Sequence, residues 1–256
     1  MVNRLFDLTG QVALVVGAAA GGLGERAVTV LAEAGATVAA ADLASRTDDL
    51  AATAEAIGAS VHEVDVSDEG SVRRLFADVV TEHGRIDVVV NAAGIMLRKE
   101  YDQTSLAEFE RVIRVNLTGT WLVGREAGKA MTAQGSGGRI VNLTTVYAER
   151  VGPVPESAYY SSKAGVVNVT RALAAELGPH GIHVNCVAPG VFYPTRMTSA
   201  LGADPERLQW FRDRTMLGRL GDPDADLAGP LLLLASRASS YMTGQVVYVD
   251  GGWSAW

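Results

Sequence analysis

The stretch Val12-Ala13-Leu14-Val15-Val16-Gly17-Ala18-Ala19-Ala20-Gly21-Gly22-Leu23-Gly24 decides how the chain is read. Five apolar residues, three of them valine, give way at Gly17 to a glycine-rich turn. Beyond it, Ala27, Val28, Leu31 and Ala32 recur at helical spacing, and the pattern stops near Gly35. A strand, a glycine turn and a helix in immediate succession are the opening of a βαβ unit. Glycines in such a turn let the backbone approach a pyrophosphate, and the first amides of the helix face its charge.

Outward from this stretch the same alternation continues to the end of the chain. Short apolar runs recur at Thr37–Ala41, Val61–Val64, Ile86–Val90, Arg139–Leu143, His183–Val187 and Val246–Val249, separated by segments of helical period. Strands that are nearly continuously apolar and joined by helices predict a parallel sheet covered on both faces. With right-handed crossovers this is a doubly wound α/β fold of seven strands. No linker, low-complexity tract or repeat interrupts the pattern, so residues 1–256 are expected to form a single domain.

Composition removes several classes of function. The net charge of -7 comes without any cluster of Lys and Arg, which argues against nucleic acid as a main partner. No apolar run is long enough to cross a bilayer, so no membrane association is expected. Met1 to Thr9 carries Arg4 as its one basic residue and lacks the apolar core of a secretion signal. The lone Cys186 cannot form an intrachain disulfide, and between Val184 and Val187 it reads as a packed strand residue. A cytoplasmic protein is expected.

The run tips carry the polar residues. Asp42 ends the second run, about 20 residues beyond the glycine turn, where a carboxylate can accept hydrogen bonds from ribose hydroxyls and repel a 2′-phosphate; it can equally cap the next turn. No base follows until Arg46, which favours NAD over NADP. Asp65-Val66 ends the third run, with Ser67 or Asp68 suited to capping the next helix. Asn91-Ala92-Ala93-Gly94 ends the fourth, leaving room for a flat cofactor or forming a tight turn. Asn116 sits inside a long helical pattern, an unfavourable place for Asn unless it makes a specific polar contact. Tyr159 and Lys163, four apart at the start of a long amphipathic stretch, share a helix face. An ammonium held beside a phenol favours the phenolate and lowers its pKa, the chemistry of a carbonyl reductase.

In order and spacing, the glycine-rich turn, Asp42, Asp65-Val66, Asn91-Ala92-Ala93-Gly94, Asn116, Thr144-Thr145, Tyr159 with Lys163, Pro189-Gly190 with Thr195, and Asp250-Gly251-Gly252 resemble the short-chain dehydrogenase/reductase family, from about Leu8 to Trp253. The resemblance implies a Rossmann domain and hydride transfer between a nicotinamide and a substrate carbon. It implies that Tyr159 is the general acid or base. Lys163 would lower its pKa and bind the nicotinamide ribose, and Asn116 would hold a water in a proton relay. Thr145 takes the substrate-orienting place, where the family normally has Ser. Threonine keeps the hydroxyl but adds a methyl and a stiffer χ1. Pro189, Gly190, Val191 and Thr195 match the segment that embraces the nicotinamide. The cofactor set also takes in Gly17, Gly21, Gly22, Leu23 and Gly24, although this turn departs from the family. It is one residue longer, either by a bulge or because Gly17 and Ala18 take the places of the usual Thr and first Gly. No metal is expected at the site.

For the substrate, the strip at about 191–220 is expected to form a cover, its aromatic residues packing either on substrate or into core. Ile95–Lys99, Tyr147, Arg150 and Phe192 would line the site with it. Arg98 can pair with a substrate carboxylate or remain a solvated charge. These details resemble the sugar-acid members of the family, such as gluconate and deoxygluconate dehydrogenases. The alternatives are a 3-oxoacyl carrier-protein reductase and, from another class, a non-catalytic NAD-binding subunit. The resemblance also implies a homotetramer. Apolar residues of the helix after Tyr159 (Val166, Val167, Val169, Leu173, Leu177), the run Pro230–Ala235, Trp253 and Trp256 are offered as its contacts.

Overall fold

The computed structural model describes residues 2–255, and side chains from Arg4 onward; Trp256 lies outside the described residues. After a short helix α1 (Val2–Leu5), the chain alternates β1 (Val12–Val16), α2 (Leu23–Glu33), β2 (Thr37–Asp42), α3 (Thr47–Glu55), β3 (Ser60–Glu63), α4 (Glu69–His83) and β4 (Val88–Asn91). It continues through α5 (Leu106–Ile113), α6 (Gly119–Gln134), β5 (Gly138–Leu143), α7 (Ser157–Leu177), β6 (Ile182–Pro189), α8 (Pro205–Asp213), α9 (Ala228–Ala235) and β7 (Val246–Val249). The seven strands form one parallel sheet in the order β3-β2-β1-β4-β5-β6-β7, so all the expected strands exist and the doubly wound fold holds.

Period-two alternation along the strands divides the core between the two faces of the sheet. Leu14, Val16, Ala39, Ala41 and Val89 point to one side. There they meet Val72, Leu75 and Phe76 of α4, Leu122 and Val123 of α6, and Leu173 of α7. Ala13, Val15, Val38, Ala40 and Val90 point to the other, against Val28 and Leu31 of α2 and Leu231 and Leu234 of α9. Each helix buries one stripe against a strand face that is largely apolar, and its few polar residues are met by the covering helix, as Asn142 of β5 is by Thr170 of α7 at 2.9 Å.

Local chemistry sets the element ends. Asp68, rather than Ser67, caps α4 by accepting from the Ser71 amide at 2.7 Å, and Gly84 closes the helix in the left-handed conformation at φ 77°. A capping box joins Ser105 and Glu108 at the start of α5. Between α5 and α6 the helix widens for one π turn, Arg114–Thr118, where the sequence reads as uninterrupted helix. A π turn inserts one residue without breaking the helix, and such turns often mark functional sites.

Small residues let α6 and α7 approach closely. A methyl at Gly124 would meet Leu173 at 2.5 Å, and one at Gly128 would meet Leu177 at 2.8 Å. Val166, Val167 and Leu173 are thereby buried within the chain, so the apolar surface offered for a subunit contact is largely used internally. By contrast, all four residues of the edge strand β7 stay half-exposed. Cys186 is buried in β6 beside the Thr170 hydroxyl, and burial pushes its thiol up to about 11, so it is a packed strand residue and no nucleophile. Among the described residues no helix is long and apolar enough to cross a membrane.

Candidate active site

Parallel register brings the carboxyl ends of the strands level: Val16 pairs with Ala41 and Asn91, Asn91 with Asn142, and Leu143 with Val187. Strand order reverses between β1 and β4, the place where an open α/β sheet leaves a crevice. A cleft of about 1450 Å³ opens there, larger than the roughly 300–1,000 Å³ of a site for one drug-sized molecule. Its walls include Gly17, Gly22, Leu23, Gly24, Asp42, Asp65, Val66, Ala92, Gly94, Arg98, Thr145, Tyr159, Lys163, Pro189, Gly190, Phe192 and Thr195.

The glycine turn is held by contact rather than by side chains. A methyl on Gly17, at φ 82°, would sit 2.5 Å from the Ala93 amide, and one on Gly24 would sit 2.0 Å from the Gly17 carbonyl. Gly17 therefore keeps the first glycine's place, with Gly22 as N-cap of α2. The extra residue is absorbed at Gly21, also left-handed at φ 82°. The left-handed backbone at Gly21 fits the bulge reading of the lengthened turn. Gly21 itself opens away from the main cleft, onto a smaller depression shared with Glu25 and Tyr193.

Arg196 ties down this bulge. Its amide donates to the Gly21 carbonyl at 2.7 Å, and its guanidinium donates to the Ala20 carbonyl. The two ends of the contact lie far apart in sequence, so no local pattern predicts it. At the next strand tip, Asp42 accepts from the Ala19 amide at 2.9 Å and from the Leu43 amide at 2.8 Å, which fixes its carboxylate at the cleft wall. Asp65 accepts from the Ser67 amide and hydroxyl.

Asn91 does not face the cleft. Its amide donates to the Thr120 hydroxyl at 3.1 Å beneath the turn, so it supports the loop from below. Asn116 is buried in the π turn and makes the contact its position demanded. Its Oδ1 accepts from the Ile95 amide at 2.8 Å, and its Nδ2 donates to the Ile95 carbonyl and the Ser162 hydroxyl, both at 2.9 Å. Ser162 in turn donates to the Tyr159 carbonyl at 2.7 Å. The π turn thus couples the loop after β4 to the first turn of α7.

Tyr159 and Lys163 share the buried face of α7, as the spacing predicts. Lys163 Nζ lies 5.9 Å from the centre of the Tyr159 ring and donates to the Leu143 carbonyl at 2.8 Å. Burial lowers Lys163 to about 8. Burial, aided by the Glu156 charge, raises the Tyr159 phenol above its ordinary value, and a hydrogen bond with the Thr145 hydroxyl partly opposes this. The expected lowering of the phenol by the ammonium is therefore overridden: desolvation acts on both groups, and each is shifted toward its neutral form. Thr145 stands at the mouth of the turn after β5, its hydroxyl 3.5 Å from the Pro189 carbonyl. Its neighbour Thr144 donates to the Lys163 carbonyl at 2.9 Å.

Above this group, Arg98 donates to the buried Glu156 at 2.7 Å and reaches the Met197 carbonyl at 3.4 Å. Tyr147 does not border the cleft; its ring packs on Tyr160 and Trp253, and its buried hydroxyl has no hydrogen-bond partner among the described residues. Arg150 turns away entirely and donates to the Ser254 carbonyl. Val191 packs with Leu201, Leu208 and Phe211. Trp210 packs edge-on and Phe211 tilted against Trp253, so for these two the core reading of the cover's aromatics holds. The cover reaches the cleft only through Phe192 and Thr195–Thr198, and Phe192 is itself buried against Gly221. The opposite wall, which sequence reasoning missed, comes from Leu106, Phe109, Glu110 and Ile113 of α5. The capping box, together with Leu106, Phe109 and Ile113 at helical spacing, was the available signal for that helix.

A family model described as enoyl-(acyl carrier protein) reductase matches residues 17–254. The chain is 35% identical to the 2-dehydro-3-deoxy-D-gluconate 5-dehydrogenase of Escherichia coli (strain K12), covering 100% of both proteins. It is 37% identical to the 3-oxoacyl-[acyl-carrier-protein] reductase of Aquifex aeolicus (strain VF5), over 96% of this chain and 98% of that one. Among solved structures, a gluconate 5-dehydrogenase from Burkholderia cenocepacia J2315 in complex with NADP and tartrate superposes with a TM-score of 0.92 at 32% identity, covering 100% of each chain. With this fold and these relatives along its whole length, the chain belongs to the short-chain dehydrogenase/reductase family and is an oxidoreductase of the alcohol/ketone type.

Proposed function

We propose that the protein interconverts a secondary alcohol and a ketone on a small sugar-acid substrate, using a nicotinamide dinucleotide, NAD in preference to NADP. The convergence of Thr145, Tyr159 and Lys163 on one cleft wall, with Arg98 at its mouth, is the observation that carries this reading. The residues present suit an extended dinucleotide: bare backbone at Gly17, Gly22 and Gly24, a fixed carboxylate at Asp42, and Pro189, Gly190 and Thr195 at the far end. A bound nicotinamide supplies or accepts the hydride.

The remaining steps fall to the protein. Tyr159, kept neutral by burial, donates its proton to the substrate oxygen in reduction and must lose it for oxidation. Thr145, hydrogen-bonded to that phenol, holds the same oxygen in line. Lys163, poised near 8, is the neighbouring group whose charge favours the phenolate when it is needed. Asn116 fixes the loop around Gly94, where a methyl would come within 3.3 Å of Asn116 Oδ1 and 3.4 Å of Lys163 Nζ. That gap is the place for a relay water. Arg98, anchored on one edge by Glu156, offers its other edge to a substrate carboxylate.

Asp42 supports NAD because, among the described residues, no ion pair offsets its repulsion of a 2′-phosphate; Arg46, on the same wall, is engaged by Asp49 at 2.5 Å. The half-exposed edge strand β7 supports a homotetramer, and sedimentation at assay concentration tests it. A panel of sugar acids, polyols and oxoacyl thioesters, each with NAD and with NADP, tests the substrate. Sugar-acid turnover with NAD is expected. Preferential turnover of an oxoacyl thioester with NADPH would favour a carrier-protein reductase, and cofactor binding without turnover of any of them would mean a non-catalytic subunit.

A further inference from the structure

At the edge of the sheet, Ser60 and His62 of the edge strand β3 meet the last turn of α4, which ends in Glu82-His83. The helix runs back against the direction of the strands, so its carboxyl end arrives beside the first residues of β3. None of Ser60, His62, Glu82 and His83 lines the cleft. His62 Nε2 lies 3.5 Å from one oxygen of Glu82, and His83 Nε2 lies 3.7 Å from the other. Both imidazole nitrogens converge on the Ser60 hydroxyl, at 3.0 and 2.8 Å. No two of the three ligand atoms from His62, Glu82 and His83 are more than 4.8 Å apart.

We propose that His62, Glu82 and His83 form a structural binding site for a divalent transition metal of the zinc class. Tetrahedral zinc takes imidazole nitrogen at about 2.0–2.1 Å and carboxylate oxygen at about 2.0–2.2 Å, which sets neighbouring ligand atoms roughly 3.3 Å apart. The nitrogen-to-oxygen separations, 3.5 Å from His62 to one Glu82 oxygen and 3.7 Å from His83 to the other, are each close to that edge, so a turn of the exposed carboxylate would bring one oxygen to both imidazoles. Two nitrogens and one carboxylate oxygen are a borderline-soft donor set that suits zinc better than magnesium or calcium, which prefer oxygen throughout. The fourth position falls to a water, and the Ser60 hydroxyl stands where it can hydrogen-bond to that water.

The surroundings favour the same reading. The two histidine side chains are only 10% and 14% exposed, so their directions are set by packing, while Glu82 at 51% is free to close on an ion. The carboxyl end of α4 places partial negative charge beside the site. Among the described residues no other group of three such ligands is brought this close together. The metal would clip the short edge strand β3 to α4 and take no part in the chemistry of the cleft.

Titrating the metal-stripped full-length protein with zinc chloride, followed calorimetrically, tests the site. One zinc per chain is expected, with a rise in melting temperature on loading. His62→Gln and His83→Gln should each weaken binding about tenfold or more while keeping the metal-free melting temperature and the turnover of the wild type. His183→Gln should leave binding unchanged. Cobalt(II) added to the wild-type protein provides a reading that needs no variant, since tetrahedral coordination gives intense visible bands. Absence of zinc binding, absence of the cobalt bands, or binding that survives both substitutions would overturn the proposal. So would binding lost in His183→Gln instead.

Discussion

Lys163 directs its ammonium group to the Leu143 carbonyl at 2.8 Å and leaves 5.9 Å between itself and the centre of the Tyr159 ring. The lysine is therefore held by the end of β5, with the tyrosine as a neighbour rather than a direct partner. A buried cation with one carbonyl acceptor is a cost to the fold that is retained for its role at the site.

Lys163→Met should separate these two effects. Turnover should fall by about 10² or more, while the melting temperature at pH 7 rises because a desolvated charge is replaced by an apolar chain of similar length. The sign follows from the pKa. Burial lowers Lys163 from 10.5 in the unfolded chain to about 8 in the folded one, so the unfolded state binds more protons between those values. The charge penalty is fully present below pH 8 and fades as pH rises toward 10.5. The variant's advantage should shrink over the same window, as read by thermal melts across pH.

Thr145 is the hydroxyl that faces Tyr159, and its methyl is accommodated in a buried position. Thr145→Ser should keep kcat/KM within about threefold, because the donor and acceptor remain. Thr145→Val should lower it by about 10². Equal activity in the two variants would remove Thr145 from the reaction.

Gly94 has an ordinary backbone, so alanine fits its conformation, yet the added methyl enters the gap between Asn116 and Lys163. Gly94→Ala should cost turnover about tenfold and leave the melting temperature within a few degrees. A large loss of stability with unchanged kcat would mean that the gap serves packing rather than proton transfer.

Asp42→Asn keeps an oxygen for the Ala19 amide and removes the negative charge. The ratio of kcat/KM for NAD over NADP should drop about tenfold, equivalent to about 1.4 kcal/mol. An unchanged ratio would assign cofactor choice to other residues, Arg46 and Arg196 first among those on the same wall.

The strands were legible because both faces of the sheet are covered, which forces runs such as Val12–Val16 to be apolar throughout. β3 was the least distinct; its alternating half-buried and exposed residues reflect an edge strand with one covered face. The tyrosine and lysine were legible through a spacing that any helix preserves. The π turn at Asn116 was not, because one extra residue leaves no trace in a hydrophobic period. Tyr147 and Arg150 were misplaced for a related reason: one lies in a single 3-10 turn and the other in the irregular segment beyond it, where sequence distance from Thr145 does not fix direction. The Arg196 latch on the glycine turn joins segments with no shared local pattern, and only the folded chain brings them together.

Turnover in Tyr159→Phe tests the central claim most directly, measured beside Tyr160→Phe with cofactor affinity followed in both. Tyr160 donates to the Val154 carbonyl at 3.0 Å, and partial burial pushes its phenol up to about 12, so it serves as a half-buried control of the same chemistry. Tyr159→Phe should lose at least about 10³ in kcat with cofactor affinity nearly unchanged, while Tyr160→Phe keeps most of its turnover. Substantial turnover in Tyr159→Phe, or an equal loss in both variants, would contradict the assignment of Tyr159 as the proton donor.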